Sequence, residues 1–190
     1  MDAFLRSYKT QLIDRIKDID VNVISNVALE LIRVSKNKNR IFIIGNGGSA
    51  ATASHIVNDF GAGLKRRGVL CLDIVSLSDN IATVTALSND VGYDEIYINQ
   101  LKGIIRKGDV LMAISCSGNS ENIIKAVEYS KNNNATIIGL TGFNGGKLKK
   151  ISDINFHVQT EYGEYGVVED VHMIFDHILY TYFIKKRQND

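Results

Sequence analysis

Arg40-Ile41-Phe42-Ile43-Ile44-Gly45-Asn46-Gly47-Gly48-Ser49-Ala50 is the stretch whose reading decides the fold. A run as continuously apolar as Ile41 to Ile44 suits a parallel strand covered on both faces, since a half-exposed strand would alternate polar and apolar residues. Glycines follow at once, and Ala51-Thr52-Ala53-Ser54-His55 reads as the opening of a helix. At a strand-to-helix junction, glycines allow a tight turn that presents backbone N–H groups where the helix dipole favours an anion. The same letters spell G-x-G-x-x-A, a dinucleotide-binding variant with Asp73 near the end of the second candidate strand. A plain tight turn fits them equally.

Working outward, four more apolar runs each lead into a glycine- or serine-bearing loop and then a helical stretch. They are Leu70 to Val75, Asp109 to Ile114, Ala135 to Leu140 and Ile154 to Val158. Strands alternating with helices predict an α/β domain with a doubly wound parallel sheet. Upstream, Phe4, Leu5, Tyr8, Leu12, Ile16 and Ile19 recur at helical spacing. Val23 to Val34 continues that pattern to a turn at Lys36-Asn37-Lys38-Asn39, so two leading helices are expected. A last helix is expected from about Val167 to Lys186. No linker or low-complexity tract divides the chain, so residues 1–190 read as one domain, with helices in 1–36 and an α/β core in 40–186.

Composition sets limits on partners. Across 190 residues the net charge is +1, from 22 Lys+Arg against 21 Asp+Glu, which gives no electrostatic reason to expect nucleic acid or an anionic membrane. The basic clusters Lys65-Arg66-Arg67 and Lys185-Lys186-Arg187 read as solvated surface. No apolar run approaches the ~18 residues of a membrane span, and the first residues lack a signal-type apolar core, so a cytoplasmic protein is expected. Cys71 and Cys116 stand at no metal spacing and read as reduced thiols. The chain has no proline, leaving glycine and Asx residues to make its turns.

Three places could carry chemistry. Ser115-Cys116-Ser117-Gly118-Asn119-Ser120 ends the third strand, where three hydroxyls and a glycine form a cup of donors suited to a phosphate monoester. An ordinary serine-capped helix would need only one of those serines. Two such cups at the carboxyl ends of strands point to a compact phosphorylated ligand, such as a sugar phosphate, between them. His55 and Asp59, four apart, share one helical face. Glu169 and His177, eight apart, fall within roughly 80° of each other around the last helix and can face one cleft, with His172 competing for the role. Two histidines and two carboxylates could bind a divalent cation or act as acid and base, and a salt-bridged helix face is the alternative.

With those residues assembled, the sequence resembles the sugar isomerase (SIS) domain family, and within it the phosphoheptose isomerases. The motifs that carry the likeness are Gly45 to Ala51 with His55, Ser88-Asn89-Asp90-Val91-Gly92-Tyr93, Gly108 to Leu111, Ile114 to Ser120, Gly139 to Gly142, and Val168-Glu169-Asp170-Val171-His172 with His177. The resemblance implies a flavodoxin-like three-layer αβα sandwich with a five-stranded parallel sheet, and a homotetramer. It implies that sedoheptulose 7-phosphate is isomerised to heptose 7-phosphate for a surface polysaccharide such as lipopolysaccharide or capsule. It places phosphate on Ser115, Cys116, Ser117 and Ser120, sugar on Asn46, Gly47, Ser49, Asp90 and Glu169, and zinc on His55, Asp59, Glu169 and His177, with Asp59 and His177 as acid/base pair. Three positions depart from the family pattern: Cys116 stands for threonine, Asp59 for glutamate and Glu169 for glutamine. The alternative is a non-catalytic SIS module that binds a sugar phosphate or a protein partner.

Overall fold

The computed structural model describes residues 1–189, so Asp190, the last residue of the expected domain, lies outside the described residues. Two helices lead, α1 (Asp2–Lys17) and α2 (Val21–Asn37). Asp20 caps α2 by accepting the Asn22 N–H at 2.8 Å, and Lys38, at φ 56°, closes it in the left-handed conformation. The sheet strands are β1 (Arg40–Gly45), β2 (Asp73–Ser76), β3 (Val110–Ser115), β4 (Thr136–Phe143) and β5 (Ile154–Gln159), all parallel, in the order β2-β1-β3-β4-β5. Between them run α3 (Gly48–Ile56), a π-helical turn (Val57–Gly63) with a short α4 (Leu64–Arg66), α5 (Ile81–Asp90), α6 (Ile96–Leu101), α7 (Glu121–Asn132) and α8 (Gly146–Ile151). The last element is α9 (Tyr165–Asn189).

Each central strand feeds two cores because successive side chains point to opposite faces. From β1, Ile41 and Ile43 join Leu31, Phe60, Val171 and Phe175 on the α2–α3–α9 side. Phe42 and Ile44 join Tyr97, Leu101, Ile123 and Val127 on the α6–α7 side. All four β1 side chains are fully buried, each contributing about 1.5–3 kcal/mol of hydrophobic stabilisation. This two-sided burial explains why the run shows no alternation.

Two boundaries differ from expectation. β2 starts at Asp73 rather than Leu70, because its partner β1 begins at Arg40, opposite Asp73, and offers no backbone to the residues before. α3 begins at Gly48 rather than Ala51, with the N–H groups of Ala50 and Ala51 both reaching the Gly47 carbonyl. The loop after β1 is therefore only Asn46 and Gly47, and Gly47 sits at φ 53°, which a glycine adopts without strain.

Register aligns the site. Gly45 lies opposite Ile114, and Ser115 opposite Thr141, so the carboxyl ends of β1, β3 and β4 form one edge. The chain runs from β1 out to β2 and back across to β3, making the β1/β3 boundary the switch point where open α/β sheets bind ligands.

Candidate active site

At that switch point the loop after β3 turns into α7. Gly118, at φ 64°, makes the turn, and a Cβ there would overlap the Gly145 carbonyl. Ser115 Oγ accepts the Gly118 N–H at 3.1 Å and lies 3.3 Å from Ser120 Oγ. Ser120 is the N-cap residue of α7, yet its hydroxyl makes no capping bond, so it remains available beside the helix N-terminus. These serines, with Asn46, Ser49, Cys116, Ser117, Tyr165 and Glu169, line an open cavity of ≈ 140 Å³.

Electrostatics make this cavity unusual for an anion site, since none of its lining residues is Lys or Arg. Attraction must come from hydroxyls, backbone N–H groups and the α7 dipole. Cys116 is buried, and desolvation followed by the nearby Glu169 charge pushes its thiol up to about 11. It is therefore a neutral thiol at physiological pH. Burial, and then Asp170, raise the Glu169 carboxyl above its ordinary range.

Asn46 is fixed by a network that the sequence did not reveal. Its amide pairs reciprocally with Asn122, both bonds at 3.0 Å, while Tyr93 and Tyr97 donate hydroxyl bonds to its Oδ1 at 2.9 and 3.1 Å. Tyr97 also donates to the Gly45 carbonyl. Asn122 and Tyr97 come from α7 and α6, and Tyr165 of the cavity wall opens α9, so no short-range spacing could have grouped them.

The second cluster lies farther along α3 and α9. His55 Nε2 is 3.2 Å from His177 Nε2, 3.5 Å from Asp176 Oδ2 and 3.7 Å from Asp59 Oδ2. One donor atom from each of the four residues lies within 4.8 Å of all the others. Asp59 is carried by the π-helical turn, a widened geometry that recurs at functional sites. Its Oδ1 accepts from the Asn58 amide at 3.0 Å. Asp176 is 0% exposed and neither of its oxygens has a hydrogen-bond partner. Desolvation, and then the facing Asp59, push its carboxyl up to about 7. Two imidazoles and two carboxylates form a donor set that fits a divalent cation.

The sequence-predicted residues are distributed as follows. Asn46, Ser49, Ser115, Cys116, Ser117, Ser120 and Glu169 meet in the cavity, with Gly47 at its rim as the N-cap of α3. His55, Asp59 and His177 meet in the cluster. Glu169 does not join them. Azimuth allows it, but eight residues of helix separate Glu169 from His177 by about 12 Å along the axis, and Glu169 packs against Gly48 instead. The fourth member of the cluster is Asp176, which the spacing argument passed over.

Asp90 is exposed at the end of α5 and outside the cavity. His172 faces the sheet rather than the cleft: it is fully buried, with Nε2 3.2 Å from the Thr141 carbonyl. Burial lowers it to about 4, leaving it neutral. Asp73 begins β2 at the edge opposite the Gly45 loop and pairs with Arg40 at 2.9 Å, which removes the acidic partner that a dinucleotide site would need. Both cysteines are free thiols.

Fold and site together define a class, the sugar-isomerase type of α/β domain, and the sequence model of the SIS domain family matches residues 4–142. A phosphoheptose isomerase of Aliarcobacter butzleri is 37% identical over 82% of this chain and 79% of its own length. One from Aneurinibacillus thermoaerophilus is 37% identical over 84% and 79% respectively. The solved phosphoheptose isomerase GmhA of Neisseria gonorrhoeae superposes with a TM-score of 0.83 at 27% identity, covering 96% of this chain and 95% of that one. The chain belongs to the SIS domain family and, within it, to the phosphoheptose isomerase type. Its last helix, with His177, falls beyond the residues that the SIS model matches.

Proposed function

We propose that this chain is an aldose–ketose isomerase that interconverts sedoheptulose 7-phosphate and heptose 7-phosphate through an enediol. The observation that carries the reading is its 37% identity, over most of both chains, to proteins named phosphoheptose isomerase. The spacing of the two clusters supports the substrate's length. α3 and α9 pack against each other, with Gly48 beside Glu169 at one end and His55 beside His177 at the other. Seven to eight residues of helix set those ends roughly 10–12 Å apart. With C–C bonds of about 1.5 Å, an extended seven-carbon chain reaches on the order of 10 Å from its carbonyl to a terminal phosphate.

In this reading Ser115, Ser117, Ser120 and the backbone at Cys116 hold the phosphate, and Asn46, Ser49 and Glu169 meet the sugar hydroxyls. This remote binding fixes the reacting end. Asp59 takes the proton from carbon and His177 handles the proton on the adjacent oxygen. A divalent ion, zinc by family analogy, would be held by the cluster and supply positive charge for the developing oxyanion. The orphaned oxygens of Asp176 and the His/Asp donor set fit such an ion.

We further propose a homotetramer in the cytoplasm, formed by a single domain over residues 1–190 whose leading helices serve assembly. Val21 and Leu29 of α2 are 72% and 64% exposed and, with Ile24, Ile32, Ile178 and Tyr182, line an apolar groove against α9. At ≈ 140 Å³ the phosphate cavity is also smaller than the ~300–1,000 Å³ usual for ligand sites, in keeping with a cleft completed by another subunit. No helix among the described residues is long and apolar enough to cross a membrane.

The test is a panel of five- to seven-carbon ketose phosphates assayed for aldose formation. Turnover of sedoheptulose 7-phosphate above its shorter homologues is the expected outcome, and no turnover of any overturns the reading. Sedimentation should give a tetramer that Leu29→Asp dissociates.

A further inference from the structure

We infer that Asn122 and Tyr93 are positioning residues of the sugar-phosphate cavity: together they fill the carbonyl oxygen of Asn46, so that its amide meets the ligand only as a donor. The inference deepens the isomerase reading and rests on it for a sugar phosphate as the ligand. The polarity of the amide follows from its hydrogen bonds.

A side-chain amide has two N–H donors and an oxygen with two lone pairs, and its ends are so alike in shape that only its neighbours decide which faces where. Here the deciding neighbour is a backbone group. Ile123 lies in the first turn of α7, where backbone N–H groups lack intrahelical partners, and its N–H donates to Asn122 Oδ1 at 2.9 Å. That bond orients the Asn122 amide, which is 2% exposed. Asn122 Nδ2 then donates to Asn46 Oδ1, and Asn122 Oδ1 accepts from Asn46 Nδ2, both at 3.0 Å. Turned over, Asn46 would set oxygen against oxygen and NH2 against NH2 across the pair.

Tyr93 takes the second lone pair, its hydroxyl donating to Asn46 Oδ1 at 2.9 Å. The short 3₁₀ turn that carries it, Tyr93–Glu95, is tied to α7 by Lys125, which pairs with Asp94 and, at 2.9 Å, with Glu95. Tyr97, 3.1 Å from the same oxygen, shares its one proton between that oxygen and the Gly45 carbonyl. Asn46 Oδ1 is therefore spent, whereas Nδ2 uses one of its two hydrogens, on Asn122. Since Asn46 lines the ≈ 140 Å³ cavity, the remaining N–H is what it offers there. Neighbouring serine hydroxyls can rotate to donate or accept, but Asn46 is held to one polarity and selects a ligand oxygen that accepts.

The test is a pair of double-mutant cycles read by calorimetry, with sorbitol 6-phosphate as the probe because a polyol phosphate has no carbonyl to isomerise. Asn46→Ala and Asn122→Ala should each weaken binding by on the order of 10-fold, the worth of about one hydrogen bond. Tyr93→Phe should weaken it roughly 3-fold. In the Asn46→Ala background, neither Asn122→Ala nor Tyr93→Phe should have a further effect, because each acts through Asn46. Asn122 and Tyr93 also line an adjoining cavity of ≈ 470 Å³, and direct contact with ligand there would instead make the effects multiply. Thermal melts check folding. Tyr93 is 53% exposed, so the Tyr93→Phe cycle stands even if Asn122→Ala does not fold. Multiplying effects in either cycle, wild-type affinity in both single variants, or no binding of the probe by wild type would each overturn the inference. Turnover of the ketose phosphates is measured in parallel. Non-additive cycles without turnover overturn the isomerase reading alone, whereas turnover with multiplying effects overturns the positioning inference alone.

Discussion

The two ends of the α3–α9 pair contrast in how their polar groups are satisfied. At the serine end, backbone and hydroxyl groups bond one another, Ser115 to Gly118 and Ser117 to Asn119, and the cup has its shape before any ligand arrives. At the histidine end, two carboxylates and two imidazoles face each other without enough hydrogen bonds to go round. The first end presents neutral donors already in place, and the second leaves the buried Asp176 carboxyl without the partner that a cation or a proton can supply. On the proposed reading, a long phosphorylated substrate is held at the first end and converted at the second.

The largest expected effect separates the ends outright. His177→Ala should lower turnover by about 10²–10⁴-fold, the range for losing a general acid or base, while leaving sugar-phosphate affinity in calorimetry nearly unchanged. Comparable losses of both would mean that the two clusters do not divide the work. The next effect is the mirror image. Ser117→Ala combined with Ser120→Ala should weaken phosphate-ester binding by about 1–3 kcal/mol for each charge-assisted hydrogen bond removed. Unchanged affinity would remove the phosphate from this cup.

A smaller effect concerns His172, which links α9 to the sheet between the two ends. Its folded-state value, lowered by burial to about 4, lies below the ordinary 6.5, so the unfolded chain takes up the proton first. Its stabilising contribution is complete above about pH 6.5 and lost as pH falls toward 4, by about 3 kcal/mol in all. Asp176 works in the opposite sense, because its raised value favours the folded state as pH falls below about 7. The comparison must therefore be differential: between about pH 7.5 and 4.5 the wild type should lose more melting temperature than His172→Leu. Equal losses would show that His172 does not titrate as a buried neutral ring. The smallest effect is a difference in labelling. Iodoacetamide near neutral pH should alkylate exposed Cys71 and spare Cys116, whose thiol is buried and pushed up to about 11, as peptide mass spectrometry would show.

Local sequence carried the serine end, because a strand-to-helix junction brings together residues only a few positions apart. Ser115 to Ser120 could be read as a donor cup from their order alone, and the five parallel strands from their unbroken apolar runs. The ionisable residues of α9 could not be sorted that way. From spacing, Glu169 and His177 looked like partners, yet the axial rise of the helix sends Glu169 to the cavity, Asp170 to the Tyr8 hydroxyl at 2.7 Å, and His172 to the Thr141 carbonyl.

What the sequence by itself determined was the layered α/β sheet, the gathering of hydroxyls after β3 and the pairing of His55 with Asp59, all read from neighbours within one run, one turn or one loop. Tertiary structure alone decided which face each α9 residue presents, that Asn122 and two tyrosines lock Asn46, and that Asp176 rather than Glu169 meets the histidines. The physical reason is that helix periodicity fixes only an angle around the axis. Distance along that axis, and the depth to which a neighbouring helix buries a side chain, are settled only when α3, α9 and the sheet pack together.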